Sequence, residues 1–563
     1  MSERSKTRAL ATSPLFRVNS ESLVLSDRIL LSYKRAKAIA SAYDLSAEDV
    51  LTLSPKYWKF HTDPALVMDG GAATLLTIHF NLCIGTLAMH CRKRPDLKPI
   101  LQQLLSFEVS GQYCLTEVGH GLDVFHLETT ATMLSNGDFI LHTPSSNAAK
   151  FMPPTVPCGI PCVAVVFARL IIGNADHGIK PFLVPIHDGE HMYEGIQCRA
   201  LTQRGGSNPV NHAMTSFNHV RLPNTALLGS TEAPKDPRSA FFFNISRVIT
   251  GTLCMGAFGV SAMGVASCIG ARYSLRRQVM DPSTGSPKPI ISFSTQFIPV
   301  LSAIARSLVF NEFCDYVRAL FVSETDPVVR HCVAAIFKAT VVKHSKDITL
   351  TLGDRCGAQG LFSVNQLSSL HENSRGAAIA EGDLLAISIR FGMEILLGRV
   401  SIPPSKDPSS LLARHEIALI AELRALVSNP LGHRSATIQS IVLPQLPTLI
   451  EAIGHRMAYE AATQSNMDSE VMAMFIASVM KFDVSWYITN GCLSRTDHGK
   501  MEAEAAVALL PRLEELLAWL DNDDYVTAPM TSDEKWDSHV QTLKAYYGQR
   551  PVQEHDTFER ARL

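Results

Sequence analysis

The chain has 563 residues, a formal net charge of −2, 18% charged residues and a 46% hydrophobic set. That length exceeds a single hydrophobic core and suits about three or four packed units. The near-neutral balance excludes a broad electrostatic footprint for nucleic acid or a membrane surface.

The first thirty residues lack the basic start, long apolar stretch and small-residue cleavage site of a secretory leader. From about 26 to 105 the apolar spacing is helical, as in Ala72 to Cys91 and Ile100 to Leu105. From about 108 to 235 the texture predicts strands at Phe139 to Thr143, Cys162 to Ile172, Lys180 to Ile186 and Ala213 to Leu222. Turn pairs such as Asn136-Gly137, Gly173-Asn174 and Asp188-Gly189 separate them. After Pro237 helices are predicted over Phe293 to Phe321, Val328 to Leu350, Ala380 to Val400, Leu411 to Val427 and Ala503 to Leu520. Pro403, Pro404 and Pro408 mark a boundary near 405. The expected fold is α+β: an N-terminal helical domain (1–105), a small β-barrel-like domain (106–235), a helical bundle (236–404) and a C-terminal helical domain (405–563).

Val248 to Ala271 carries no charge and is long enough to span a bilayer. Its glycines, at 251, 256, 259, 264 and 270, and its few large aliphatics suit instead a central bundle helix that neighbours approach closely. No membrane span is expected. The twelve cysteines are scattered without a CxxC, which reads as buried or free thiols and offers no metal site.

Three segments carry chemistry. The first, Cys114-Leu-Thr-Glu-Val-Gly-His-Gly-Leu to Leu127-Glu-Thr-Thr-Ala131, holds a Thr-Glu pair before Gly-x-Gly. Such a loop lets the backbone approach a flat or anionic ligand. The second, Ala271-Arg-Tyr-Ser-Leu-Arg-Arg-Gln278 with Phe293-Ser-Thr-Gln296, reads either as the solvated end of an apolar helix or as a guanidinium fork for a diphosphate. The third pairs Cys356-Gly-Ala-Gln-Gly360 with Ala380-Glu-Gly-Asp383. A lone Glu opening a helix is ordinarily favourable dipole chemistry. Its place behind CGAQG, in register with the other two segments, points to catalysis.

Read together, these segments resemble the acyl-CoA oxidase/acyl-CoA dehydrogenase superfamily, closest in wording to the oxidases, over roughly residues 60 to 400. The resemblance implies FAD as cofactor and Glu381 as the general base. It further implies that Thr116 meets the flavin, that Gly121 and Gly357 lie close to the cofactor, and that Arg277 and Gln296 lie along its adenosine-diphosphate part, often across a subunit interface. It implies α,β-desaturation of an acyl-CoA or related thioester, with O₂ or an electron-transfer flavoprotein as acceptor, in a homodimer or homotetramer. The alternatives are a tailoring desaturase for an unusual acyl thioester and a non-catalytic binding homologue. Departures are Leu122 in place of a small hydroxyl residue, Pro154 and Thr155 where small residues are usual, and Ala380 in place of a Tyr. The last residues, Ala561-Arg562-Leu563, resemble a peroxisomal address; otherwise a cytoplasmic location is expected.

Overall fold

The computed structural model describes residues 3–428, 435, 436 and 438–549, so the Ala561-Arg562-Leu563 ending lies outside the described residues. The chain is α+β, with a β-unit between two stretches of helices. Helix α1, Leu25–Tyr43, ends where Asp44 turns left-handed (φ 48°). Asp69 caps α2, Gly70–Leu76, by accepting from the Ala72 amide. That helix widens into a π-helix over Thr77–Ile84 before resuming at Gly85–Cys91. A π-turn of this length is uncommon and re-aims side chains, often at functional sites.

The strands are β1 (Ser110–Cys114), β2 (Thr130–Met133), β3 (Phe139–His142), β4 (Lys150–Pro154), β5 (Cys162–Ile172), β6 (Ala175–His187), β7 (Ile196–Ala200), β8 (His212–Phe217) and β9 (Val220–Leu222). Strand β5 pairs antiparallel with β6 along its length. On its other edge β1 runs parallel to residues 162–166 and β2 to residues 169–171. A second sheet has the order β4-β8-β7. The alternating runs at Phe139 and Cys162 build a separate core from Cys114, Phe139, Phe182 and Phe217.

Helices α3 (Pro237–Asn244), α4 (Ser246–Arg276), α5 (Ser294–Ser323), α6 (Pro327–Arg355), α7 (Leu367–Ile379) and α8 (Leu384–Leu396) follow. Further helices continue to Asp533–Thr542. One apolar core joins the helices before and after the β-unit, from Tyr33 and Phe80 to Phe258, Phe337 and Phe475. Each such fully buried aromatic stabilises the fold by roughly 1.5–3 kcal/mol. The expected central helix is α4, whose most apolar window is 94% buried. Among the described residues, four helices rather than one are long and apolar enough to cross a membrane by length and composition: Gly70–Cys91, Ser246–Arg276, Ser294–Ser323 and Ser469–Thr489. Glycines let α4 pack tightly: a Cβ on Gly256 would collide with the Phe337 ring of α6.

Candidate active site

A cavity of about 1100 Å³ opens where the N-terminal helices, the β-unit and the bundle meet. It exceeds the roughly 300–1,000 Å³ of a usual small-molecule site and has room for a flat ring beside an acyl thioester. Its wall takes Ile78 and Leu82 from the π-helix, Thr116 and Met152 from the β-unit, and Thr252 and Glu381 from the bundle. Three non-glycine residues with positive φ line it, namely Met152 (49°), Ser207 (50°) and Glu381 (52°). Strain of this kind, of order 1–3 kcal/mol per residue, persists only where surrounding contacts hold it.

The expected helix Ala380 to Val400 is broken at its start. α7 ends at Ile379, and α8 begins at Leu384, capped by the Asp383 carboxylate on the Leu385 and Ala386 amides. Glu381 therefore sits on the intervening turn, with Gly382 at φ 104°, and does not open a helix. Every carbonyl of the turn is held. Lys338 of α6 donates to Ala380 O and Gly382 O, and Thr252 Oγ1 of α4 donates to Glu381 O at 2.8 Å. The Glu381 amide N–H has no acceptor among the described residues.

The carboxylate is held by a separate set of residues. Asn81, on the π-helix, donates Nδ2 to Glu381 Oε2 at 3.0 Å. Asn81 Oδ1 in turn accepts from Arg247 Nη2 at 2.9 Å and from the Tyr57 hydroxyl at 3.0 Å. Arg247 is 5% exposed and also reaches the carbonyls of Asn81 and Val50. Desolvation pushes the Glu381 carboxyl up to about 8, against the pull of Lys338, the Asn81 hydrogen bond and Arg247. A carboxyl raised this far is suited to accept a proton near neutral pH.

On the β side, Glu117 does not face the ligand space. It forms a buried ion pair with Lys150 at 2.9 Å and accepts from the Glu128 and Thr129 amides. Lys150 also donates to Phe167 O at 2.7 Å, so this pair staples the Thr116 loop to β4 and β5. Burial pushes His212 down to about 3. Its Nδ1–H donates to the Met152 carbonyl, which leaves Nε2 as an acceptor with no partner. The Tyr113 hydroxyl is likewise buried without a partner, and both residues line the cavity. The Thr116 hydroxyl has no protein partner among the described residues, and a Cβ on Gly121 would meet open space. Unsatisfied polar atoms around a large, mostly apolar cleft fit the hydrogen-bonding edge and flat body of a flavin.

The structure thus brings Thr116, Gly121 and Glu381 to one cavity. It does not bring Arg277, Gln296 and Gly357 there. These gather where the ends of α4 and α6 meet the start of α5: Gln296 Nε2 donates to Ser274 Oγ at 2.8 Å and to Arg355 O at 3.3 Å. Arg277 and Gly357 are exposed on that face. Leu122 lines the cavity at 72% exposure. Asn81, Lys338 and His212 escaped the sequence reading. A single amide inside an apolar run, and a lysine at an apolar helical position, were the available signals.

Residues 249–393 match the family model described as the acyl-CoA oxidase C-alpha1 domain. The chain is 26% identical over 412 residues to the human peroxisomal acyl-coenzyme A oxidase 3, covering 67% of this chain and 57% of that protein. It is 26% identical over 326 residues to Arabidopsis thaliana peroxisomal acyl-coenzyme A oxidase 1, covering 54% and 48%. The chain therefore spans about half the length of the curated relatives it matches. Its fold is similar to that of acyl-CoA oxidase 1 from Yarrowia lipolytica, with a TM-score of 0.79 at 16% identity over 98% of this chain and 91% of that one. It is also similar to a Caenorhabditis elegans acyl-CoA oxidase-1 complexed with FAD and ATP, with a TM-score of 0.74 at 16% identity over 99% and 92%.

Proposed function

We propose that the chain, whose matches place it with the acyl-CoA oxidases, is an FAD-dependent enzyme of the acyl-CoA oxidase/dehydrogenase superfamily that desaturates an acyl thioester between its α and β carbons. One observation carries the reading: a carboxyl with a raised proton affinity, held by Asn81, faces a cavity large enough for a ring and a thioester. Overall, an acyl-CoA and dioxygen give the trans-2-enoyl-CoA and hydrogen peroxide; an electron-transfer flavoprotein is the alternative acceptor. The oxidase names of the relatives favour dioxygen.

Glu381 takes the α-proton. Its free backbone N–H is a donor for the thioester carbonyl oxygen, which stabilises the charge that develops there as the proton leaves. Asn81 keeps the carboxylate aimed into the cavity, and the apolar wall of Ile78, Leu82 and Val248 excludes water from it. The chemistry FAD supplies when bound is uptake of the β-hydrogen with two electrons. Thr116, Tyr113 and His212 offer it hydrogen-bonding groups in this chain. Arg277, Gln296 and Gly357 are proposed to complete the cofactor site of a second copy, in a homodimer or homotetramer. Ala380 presents only a methyl group to the cavity, which supports acceptance of a bulky acyl group. A peroxisomal location completes the reading and is supported by the relatives' names.

The test is anaerobic addition of a panel of acyl-CoAs to the FAD-loaded protein, followed by air. Bleaching identifies substrates, and fast recolouring with peroxide release assigns the oxidase. Glu381→Gln should stay yellow and lose bleaching by about 10²–10⁴-fold, the usual contribution of a general base. Bleaching at the wild-type rate in that variant would refute the reading.

A further inference from the structure

Lys338 is fully buried in α6, and its ammonium forms no ion pair among the described residues. Its acceptors are two carbonyls, Ala380 O and Gly382 O, both at 2.5 Å, and these flank Glu381 on the turn. Burying an ammonium group without a carboxylate against it is costly. A neutral donor would satisfy both carbonyls at less cost, so tying down the turn does not by itself account for a charge here. What the charge does act on is the carboxyl of Glu381, on the same turn.

Resting on the desaturase reading, we propose that Lys338 is the positioning residue of the base. Its two hydrogen bonds fix the left-handed turn that aims Glu381 into the cavity, and its positive charge favours the proton-accepting form of the carboxyl. The carboxylate is gripped by Asn81 and the ammonium by the turn's own carbonyls.

The electrostatic surroundings are defined on every side. Glu381 faces Arg247 and Cys254 of α4, Tyr113 of β1 and Tyr57 of the helix Pro55–His61. Lys338 faces Glu381 and Asp383, and His331 lies near it on α6. Among these, Arg247 is the other cation acting on the carboxyl, and it reaches Glu381 through Asn81. Burial pulls the Lys338 ammonium down to about 7, while Glu381 and Asp383 hold it up, so each member of the pair depends on the other's charge.

The experiment compares K338Q and K338R with the parent FAD-loaded protein, following kcat/KM against pH, flavin absorbance and melting. K338Q keeps a donor for the carbonyls but loses the charge. Its acid limb should move up by about 1–3 pH units, the range for an opposite charge at close approach. K338R keeps a charge that does not titrate in this range, and its acid limb should fall at or below that of the parent. Flavin retained in both, with the limb raised in K338Q and not in K338R, is the expected result. An unmoved limb in K338Q would overturn the proposal even if the rate drops, because it reduces Lys338 to a plug for two carbonyls. Loss of flavin and of cooperative melting in both variants would also overturn it, by assigning Lys338 to folding alone. The desaturase reading fails by a different result, bleaching in Glu381→Gln.

Discussion

Gly251 stands directly behind Glu381: a methyl group built on its α-carbon would overlap the Glu381 carboxylate and crowd the Asn81 amide. The backbone of α4 is therefore the wall against which the base rests. Gly251→Ala should raise helix propensity by about 1 kcal/mol yet push the carboxylate off its Asn81 anchor. A displacement of about 1 Å at a reacting group costs on the order of 100-fold in rate. The variant should melt no lower than wild type, keep its flavin, and bleach about 100-fold more slowly in rapid-mixing measurements. A wild-type bleaching rate would show that the carboxylate is free to work from elsewhere.

The raised carboxyl sets the pH response. A base acts in its ionised form, so kcat/KM should rise with pH through about 8 and fall away below it. The same shift has a sign for stability. The folded carboxyl holds its proton from the ordinary 4.5 up to about 8, whereas the unfolded one has already lost it. Wild type should therefore lose stability relative to Glu381→Gln as pH rises across that window. Melting curves of the two proteins at both ends of the window check it, and a constant gap would argue against the shift.

The Lys150–Glu117 pair makes a separate prediction. Both side chains are buried, and Lys150→Met would strand the Glu117 carboxylate. Breaking a buried pair from one side costs about 3–5 kcal/mol. The loss should appear in denaturant unfolding, together with weaker flavin retention as the Thr116 loop loosens. Adding Glu117→Gln should recover much of the stability, because the double variant no longer buries a lone charge.

The order of helices, β-unit and helices was legible because periods of two and of three to four residues are local properties of the chain. Thr116, Gly121 and Glu381 were legible as motifs, since each lies in a short contiguous segment. Asn81 was not: it meets Glu381 across three hundred positions, and no periodicity reports such a meeting. Gly251 was noticed, but for the wrong partner. The glycines of α4 suggested close helix packing, which holds at Gly256 against Phe337, whereas Gly251 makes room for a functional side chain. Lys338 falls at an apolar position of α6, where the pattern predicts a core residue. The helix expected from Ala380 begins instead at Leu384, because Gly382 at φ 104° and the Asp383 cap redirect the chain.

Glu381 occupies a backbone conformation that suits Gly or Asn better than a glutamate. A chain released from selection for activity would gain stability by drifting to either residue, and also by shedding the buried charge at 338. Stability alone would therefore erase this pair. A chain that still carries both is hard to reconcile with a homologue retained only as a scaffold.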